Sequence, residues 1–221
     1  MADAEPLLAE PSSLAEKAYY EIRRRIVSLE LRPGAVINER ALIESLGIGR
    51  TPVREALRRL AQEQLVEVYP RRGMFVTTVE IRDLASLCEV RSVLESHAAH
   101  LAAQRATVDE LEELQALIEE LGRHDQLDHR SLMALDERIH RTVYRCAHNP
   151  FLEQTLGEYY VLAQRIWHLA LDRASGLDAA VQSHRLLLTA IVRSDADAAA
   201  RIMGKHVRDF ERSMRRVLLE G

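Results

Sequence analysis

NERALIESLGIGRTPVREALRRLAQEQLVEVYPRRG, residues 38–73, carries two helix signals and a hairpin signal in immediate succession. Asn38 is an N-cap residue type, Glu39 sits in the following turn, and Ala41, Leu42 and Leu46 give an apolar face that Gly47 ends. A second helix signal follows at once. Thr51 is its expected N-cap and Pro52 stands in its first turn, where a missing N–H costs no hydrogen bond. Val53, Leu57 and Leu60 then recur at helical spacing, and Arg50, Arg54 and Arg58 form a basic stripe away from them. Beyond this helix Val66 and Val68 alternate with Glu67 and Tyr69, Pro70-Arg71-Arg72-Gly73 reads as a turn, and Phe75 and Thr77 lead out of a second short strand. Helix, tight turn, arginine-bearing helix and basic-tipped hairpin together predict a winged helix-turn-helix, with its arginines where phosphates and guanine edges would lie.

The longer run LRPGAVINERALIESLGIGRTPVREALRRLAQEQLVEVYPRRGMFV closely resembles the DNA-binding domain of GntR-type bacterial transcription regulators. The resemblance extends from about Leu14 to Thr77, and RTPVREALRRL is its most distinctive part. Two positions depart from the family pattern. Gly49 replaces the usual Ser before Arg-Thr, which removes a capping hydroxyl, and Gln64 replaces the usual Gly that ends the recognition helix, so a side-chain-bearing residue must turn the chain. The resemblance implies a homodimer whose recognition helices enter successive major grooves of a palindromic double-stranded operator. Arg50 and Arg54 would read guanine edges, Thr51 and Arg40 would touch phosphates, Arg58 would extend the basic stripe, and Arg71, Arg72 and Gly73 would form the wing tip.

Charge agrees with that polarity. The 221-residue chain has a net charge of −4, yet residues 17–78 hold 12 Lys/Arg against 7 Asp/Glu while residues 79–221 hold 18 against 23. A basic front and an acidic back suit a chain of which one end meets a polyanion. No apolar run approaches the ~18 residues of a membrane span. The opening residues, 1–12, are acidic, lack the pattern of a secretion signal and read as a disordered tail, and Cys88 and Cys146 have no metal or redox spacing. A cytoplasmic protein is expected.

Ser13-Leu-Ala-Glu16 reads as a capping box opening a first helix with Leu14, Ala18, Ile22 and Ile26 on its apolar face; Arg23, Arg24 and Arg25 on that helix are expected to face solvent. The predicted domains are therefore 13–78, the winged helix-turn-helix, and 79–221. In the second, helical periodicity is continuous. Leu84, Leu87, Val90, Leu94 and Ala98 are read as one stripe, Thr107-Val-Asp-Glu110 caps the next helix, and four more helices are expected over about 128–147, 151–173, 178–193 and 195–219. The fold class is thus mainly α, with an all-α bundle of about six helices behind the DNA-binding domain.

Three of those helices carry polar groups on apolar faces. Asp136 and His140 are four residues apart and share a face with Val143; His184 lies among Leu187, Leu188 and Ile191; His206 shares a face with Met203, Val207 and Phe210. One inward histidine alone is ordinarily a core residue bonded to a carbonyl. Three of them with a carboxylate, on helices that a bundle can bring together, match the mixture a divalent transition metal prefers.

The arrangement resembles the metal-binding form of the FCD effector domain found behind many GntR-type domains, in the six-helix branch of vanillate-type regulators. The resemblance implies that Asp136, His140, His184 and His206 hold Zn, Ni or Mn, and that Arg91 in CEVRSVLESHAAHLAA approaches the carboxylate of a small organic acid. A surface i, i+4 ion pair between Arg91 and Glu95 is the competing assignment. A repressor that is not an enzyme is the function these features imply. Two alternatives use the same Asp/His₃ set, a metal-dependent hydrolase and a metal sensor without an organic ligand.

Overall fold

A computed structural model describes residues 13–78, 81–123, 128–170 and 177–219; the expected tail at 1–12 and the expected break at Ser175-Gly176 lie outside them. Two compact units divide near residue 79.

The first unit contains α1 (Leu14–Val27), α2 (Glu39–Leu46), α3 (Arg50–Gln62), β1 (Val66–Tyr69) and β2 (Gly73–Val76). Asn38 caps α2 by accepting the Ala41 amide, and Gly47 ends it at φ +64°. The left-handed region is favourable there because glycine has no Cβ to clash with the following carbonyl. The expected cap of α3 is displaced by two residues. Gly49 is extended and its carbonyl accepts the Val53 amide, so Arg50 is already helical and Thr51 is the second residue of the helix, not its cap. Gln64 takes the left-handed conformation, φ +58°, at the other end of α3. Its carbonyl accepts a bond from the Thr77 hydroxyl, which helps hold this strained residue in place.

The core of this unit is the packing of α1 on α3, through Ala18, Ile22 and Ile26 against Val53, Leu57 and Leu60, all fully buried. Leu14, expected on the apolar face, is exposed because it precedes the first packed turn. At the far end of α3 the Tyr19 hydroxyl donates to the Glu63 carboxylate, and the Arg59 guanidinium lies 3.7 Å from the Tyr19 ring centroid. Burial foremost pushes the Tyr19 phenol up, to about 12. β1 and β2 pair antiparallel with Val66 opposite Val76 and Tyr69 opposite Gly73. A third segment, unannounced by any residue pattern, joins them: Val36 bridges Phe75, and the Val76 and Ile37 amides donate to the Ala35 and Met74 carbonyls.

The second unit contains α4 (Ile81–Arg105), α5 (Val108–Leu121), α6 (His129–Cys146), α7 (Pro150–Ala170), α8 (Leu177–Val192) and α9 (Ala196–Leu219). The caps explain their boundaries. Thr107 and Glu110 form a reciprocal capping box, Asp128 accepts the Ser131 amide, Asn149 accepts the Leu152 amide, and Asp195 accepts the Ala198 amide. Pro150 is the first residue of α7, where its fixed φ favours the helix.

α4 runs through the middle, packed on α6, α7, α8 and α9. Its buried face differs from the expected stripe: Leu84, Cys88, Arg91, Glu95, Ala98 and Ala102 are buried, whereas Val90 is exposed. The 4–3 spacing of this face is regular, but two of its members are charged, which conceals the phase from a purely apolar pattern. α9 approaches α4 closely at Gly204, where a Cβ would stand 2.6 Å from Ser96 Oγ.

Candidate functional site

Two sets of residues need a functional account, one in each unit. In the first, Arg40, Arg50, Thr51, Arg54, Arg58, Arg71, Arg72 and Gly73 are all exposed. Arg50 and Thr51 open α3, and Gly49 supplies no side-chain cap there, so the first-turn amides and the positive end of the helix dipole are left to an outside acceptor. Arg54 Nε donates to Glu39 Oε2 at 2.8 Å, which ties the middle of the basic stripe to α2 while its two terminal nitrogens remain for a bidentate contact. Arg40 pairs with Glu44 one turn along α2. Arg71, at φ +64°, and Gly73, at φ +101°, shape the turn between the wing strands, closed by the Arg72 amide on the Tyr69 carbonyl. On α1, Arg24 pairs with Glu21 and Glu30, and Arg25 with Glu21 and Ser45, so these two arginines brace the unit internally.

In the second unit the helices bring Asp136, His140, His184 and His206 together, with one donor atom of each within 4.8 Å of the others. Asp136 and His140 stand one turn apart on α6, His184 comes from α8 and His206 from α9. His140 Nε2 is 3.4 Å from His184 Nε2 and 3.4 Å from His206 Nε2; Asp136 Oδ1 is 3.4 Å from His184 Nε2, and Oδ2 is 3.9 Å from His140 Nε2. Burial, opposed at His184 by Asp136, pushes the His184 imidazole down to about 4, and burial followed by the His184 and His140 charges pushes His206 well below its usual value. Both rings are therefore neutral near pH 7, the form that binds a metal. Three imidazole nitrogens facing one another cannot all be satisfied by shared protons at these distances, whereas a divalent cation would accept all three lone pairs and the carboxylate. The donor set fits a transition metal.

Around this cluster lies a shell of buried partners. Tyr160 donates to Asp136 Oδ2 at 2.5 Å, and Tyr144 OH is 3.1 Å from His140 Nδ1. Glu95 was the competing partner of Arg91, but the pair is not on the surface. Arg91 Nε donates to Glu95 Oε1 at 2.6 Å, and the two side chains are 4% and 0% exposed. The other carboxylate oxygen, Oε2, lies 3.0 Å from His140 Nδ1, at an angle short of a full hydrogen bond. Burial alone would raise the Glu95 carboxyl, but Arg91 and His140 hold it down to about 2. Glu95 thus joins Arg91 to one candidate ligand, a role invisible in sequence because its spacing from Arg91 also suits an exposed ion pair.

Arg91, Asp136, His140 and His206 also line a cavity of about 370 Å³, within the range of small-molecule sites. Arg91 therefore has two relations at once, to Glu95 within α4 and to this cavity. Of the histidines without an expected role, His148 pairs with Glu110 and His100 contacts Gln104, both outside the cluster. Glu137, next to Asp136, accepts from Gln164 and Arg141 instead of turning toward the cluster.

An arginine-bearing winged helix-turn-helix joined to an all-helical unit with a small-molecule cavity is the plan of a DNA-binding transcriptional regulator. Residues 14–76 match the bacterial regulatory proteins of the gntR family and residues 86–209 match the FCD domain. The chain belongs to the GntR family, in its FCD-domain branch. An HTH-type transcriptional regulator from an unstable DNA locus of Streptomyces ambofaciens is 33% identical over 200 residues, covering 88% of this chain and 84% of that protein. The HTH-type transcriptional repressor RspR of Escherichia coli K12 is 24% identical, covering 93% and 90%. Among solved structures, E. coli McbR/YncC is similar with a TM-score of 0.79 and 26% identity, covering 89% of this chain and 94% of that one. No helix among the described residues is long and apolar enough to cross a membrane.

Proposed function

We propose that this regulator is a cytoplasmic, homodimeric repressor whose operator affinity is set by a small organic acid bound at a metal centre. Arg50 and Arg54 read guanine edges in the major groove, Thr51, Arg40 and Arg58 contact phosphates or flanking groups, and Arg71, Arg72 and Gly73 lie along the backbone or minor groove. Two-fold symmetry of the dimer makes the operator pseudo-palindromic. Asp136, His140, His184 and His206 hold one divalent ion, Zn, Ni or Mn, which supplies open coordination positions for a carboxylate. Arg91 offers its remaining N–H groups to the same carboxylate. The observation that carries this reading is the convergence of four donor atoms beside a cavity whose wall includes Asp136, His140 and His206 together with Arg91.

Preference of the acid for one arrangement of the chain then shifts operator affinity by a coupling of ~1–3 kcal/mol. Gel shifts with the genomic region upstream of the regulator's own gene, with and without metal and acid, test this reading alongside elemental analysis. About one divalent ion per chain is expected, lost in His184→Ala and His206→Ala. Metal-free protein that was never exposed to chelator would refute the centre. A change of operator affinity by metal alone would favour the metal sensor instead. Hydrolysis has less support, because Glu137, the neighbouring carboxylate that could serve as a base, is engaged by Gln164 and Arg141.

A further inference from the structure

We infer that Tyr160 is a positioning residue: its hydroxyl holds Asp136 to ligation through one oxygen, so that a bound divalent ion keeps a coordination position the second oxygen would otherwise close. This rests on the metal-centred reading above. The hydroxyl donates to Asp136 Oδ2 at 2.5 Å, a charge-assisted bond at the short end of its range. Asp136 Oδ1 lies 3.4 Å from His184 Nε2, whereas Oδ2 is 3.9 Å from His140 Nε2, so Oδ1 is the oxygen nearer an imidazole nitrogen. Chelation by both oxygens would require Oδ2 to release the tyrosine, or to share its electron density between a proton and a cation.

The hydroxyl is held where it is by packing. Tyr160 is buried on α7, in a cluster with Leu101, Tyr144, Leu152 and Leu156. Its ring centroid is 4.9 Å from that of His140, and the Arg91 guanidinium carbon lies 5.8 Å from it. A ring confined in this way sets the Asp136 carboxylate, not the reverse. The other carboxylates near the cluster are engaged elsewhere: Glu95 by Arg91, Asp209 by Lys205 and Arg212, and Glu137 by Gln164 and Arg141. Trp167 and Phe210, whose rings meet at 74° in the cavity wall, have no lone pair to give an ion. The second oxygen of Asp136 is thus the protein atom best placed to occupy a free position, and Tyr160 withholds it.

A bond that merely satisfied a buried carboxylate would give a different result on its removal: metal affinity would fall about 10–100-fold, as it usually does when a ligand loses its outer partner. Full-length parent and Tyr160→Phe would be loaded with Mn(II). Water-proton relaxation would count the exchangeable waters on the ion, chelator competition would give its affinity, and a thermal melt would check that the variant is folded. With three imidazoles and one carboxylate oxygen filling four of about six octahedral positions, the parent should hold about two waters and Tyr160→Phe about one. Mn(II) affinity should hold or rise in the variant, because the freed oxygen gains the ion as its partner. A parent count of about one, a count unchanged in Tyr160→Phe, or loss of metal binding in that variant would each overturn the inference and leave the metal centre standing. Parent protein that takes up no divalent ion would overturn the metal-centred reading, and this inference with it.

Discussion

Glu95→Gln is the change that most directly separates the roles of the buried charges in α4. Glutamine keeps the shape of the side chain but offers one acceptor and one NH₂ where Glu95 offers two acceptors. Arg91 Nε is a donor only, and His140 Nδ1 must carry its proton if Nε2 is to face a metal. Either orientation of the amide therefore sets an NH₂ against a donor, and Arg91 keeps an uncompensated charge in a site that is 4% exposed. Removing one partner of a buried ion pair costs about 3–5 kcal/mol. At ~2–4 °C per kcal/mol for a domain of this size, the melting temperature should fall by on the order of 10 °C. Metal affinity should fall about 10–100-fold, the usual effect of losing the group behind a ligating histidine.

The assay is a chelator competition for metal affinity beside a thermal melt. Arg91→Met combined with Glu95→Leu supplies the control, because an apolar pair of similar volume should recover stability while metal affinity stays low. Should Glu95→Gln retain metal affinity within about twofold and melt as the parent does, Glu95 would have no part in the centre.

Two further outcomes are expected. Arg54→Ala should weaken specific operator binding by about 1–3 kcal/mol and relax base preference at one position, read by gel shift with substituted operators, while the chain stays folded; affinity within a few-fold of the parent would take Arg54 off the base edge. Gly204→Ala should destabilise the second unit by about 1–3 kcal/mol in denaturant unfolding, since its Cβ would meet Ser96 Oγ at 2.6 Å. Ser96→Ala in the same chain should recover part of that loss, and an unchanged midpoint in Gly204→Ala would show that α4 and α9 have room to spare.

The winged helix-turn-helix was legible from residues 38–73 because its signals are local. Asn38 marks the start of α2 by its side-chain cap and Gly47 its end by a left-handed backbone, and the Pro-Arg-Arg-Gly turn fixes the hairpin. Even there the α3 cap fell two residues early, as Gly49 has no side chain to announce itself. Val36 was missed because one bridge to Phe75 leaves no alternation to read. In the second unit the helix count and most caps were equally local, but the face of α4 was not. Its buried side includes Arg91 and Glu95, and a hydrophobicity pattern assigns such residues to solvent.

Sequence by itself determined the family, the order of the elements and the four candidate ligands, because each is written in residue type and short-range spacing. Tertiary structure alone decided that the Arg91–Glu95 pair is buried, that Glu95 reaches His140, and that Trp167 and Phe210 meet in a corner beside the cluster. These are relations between helices distant along the chain, and the phase at which one helix meets another is set by packing against all its neighbours at once.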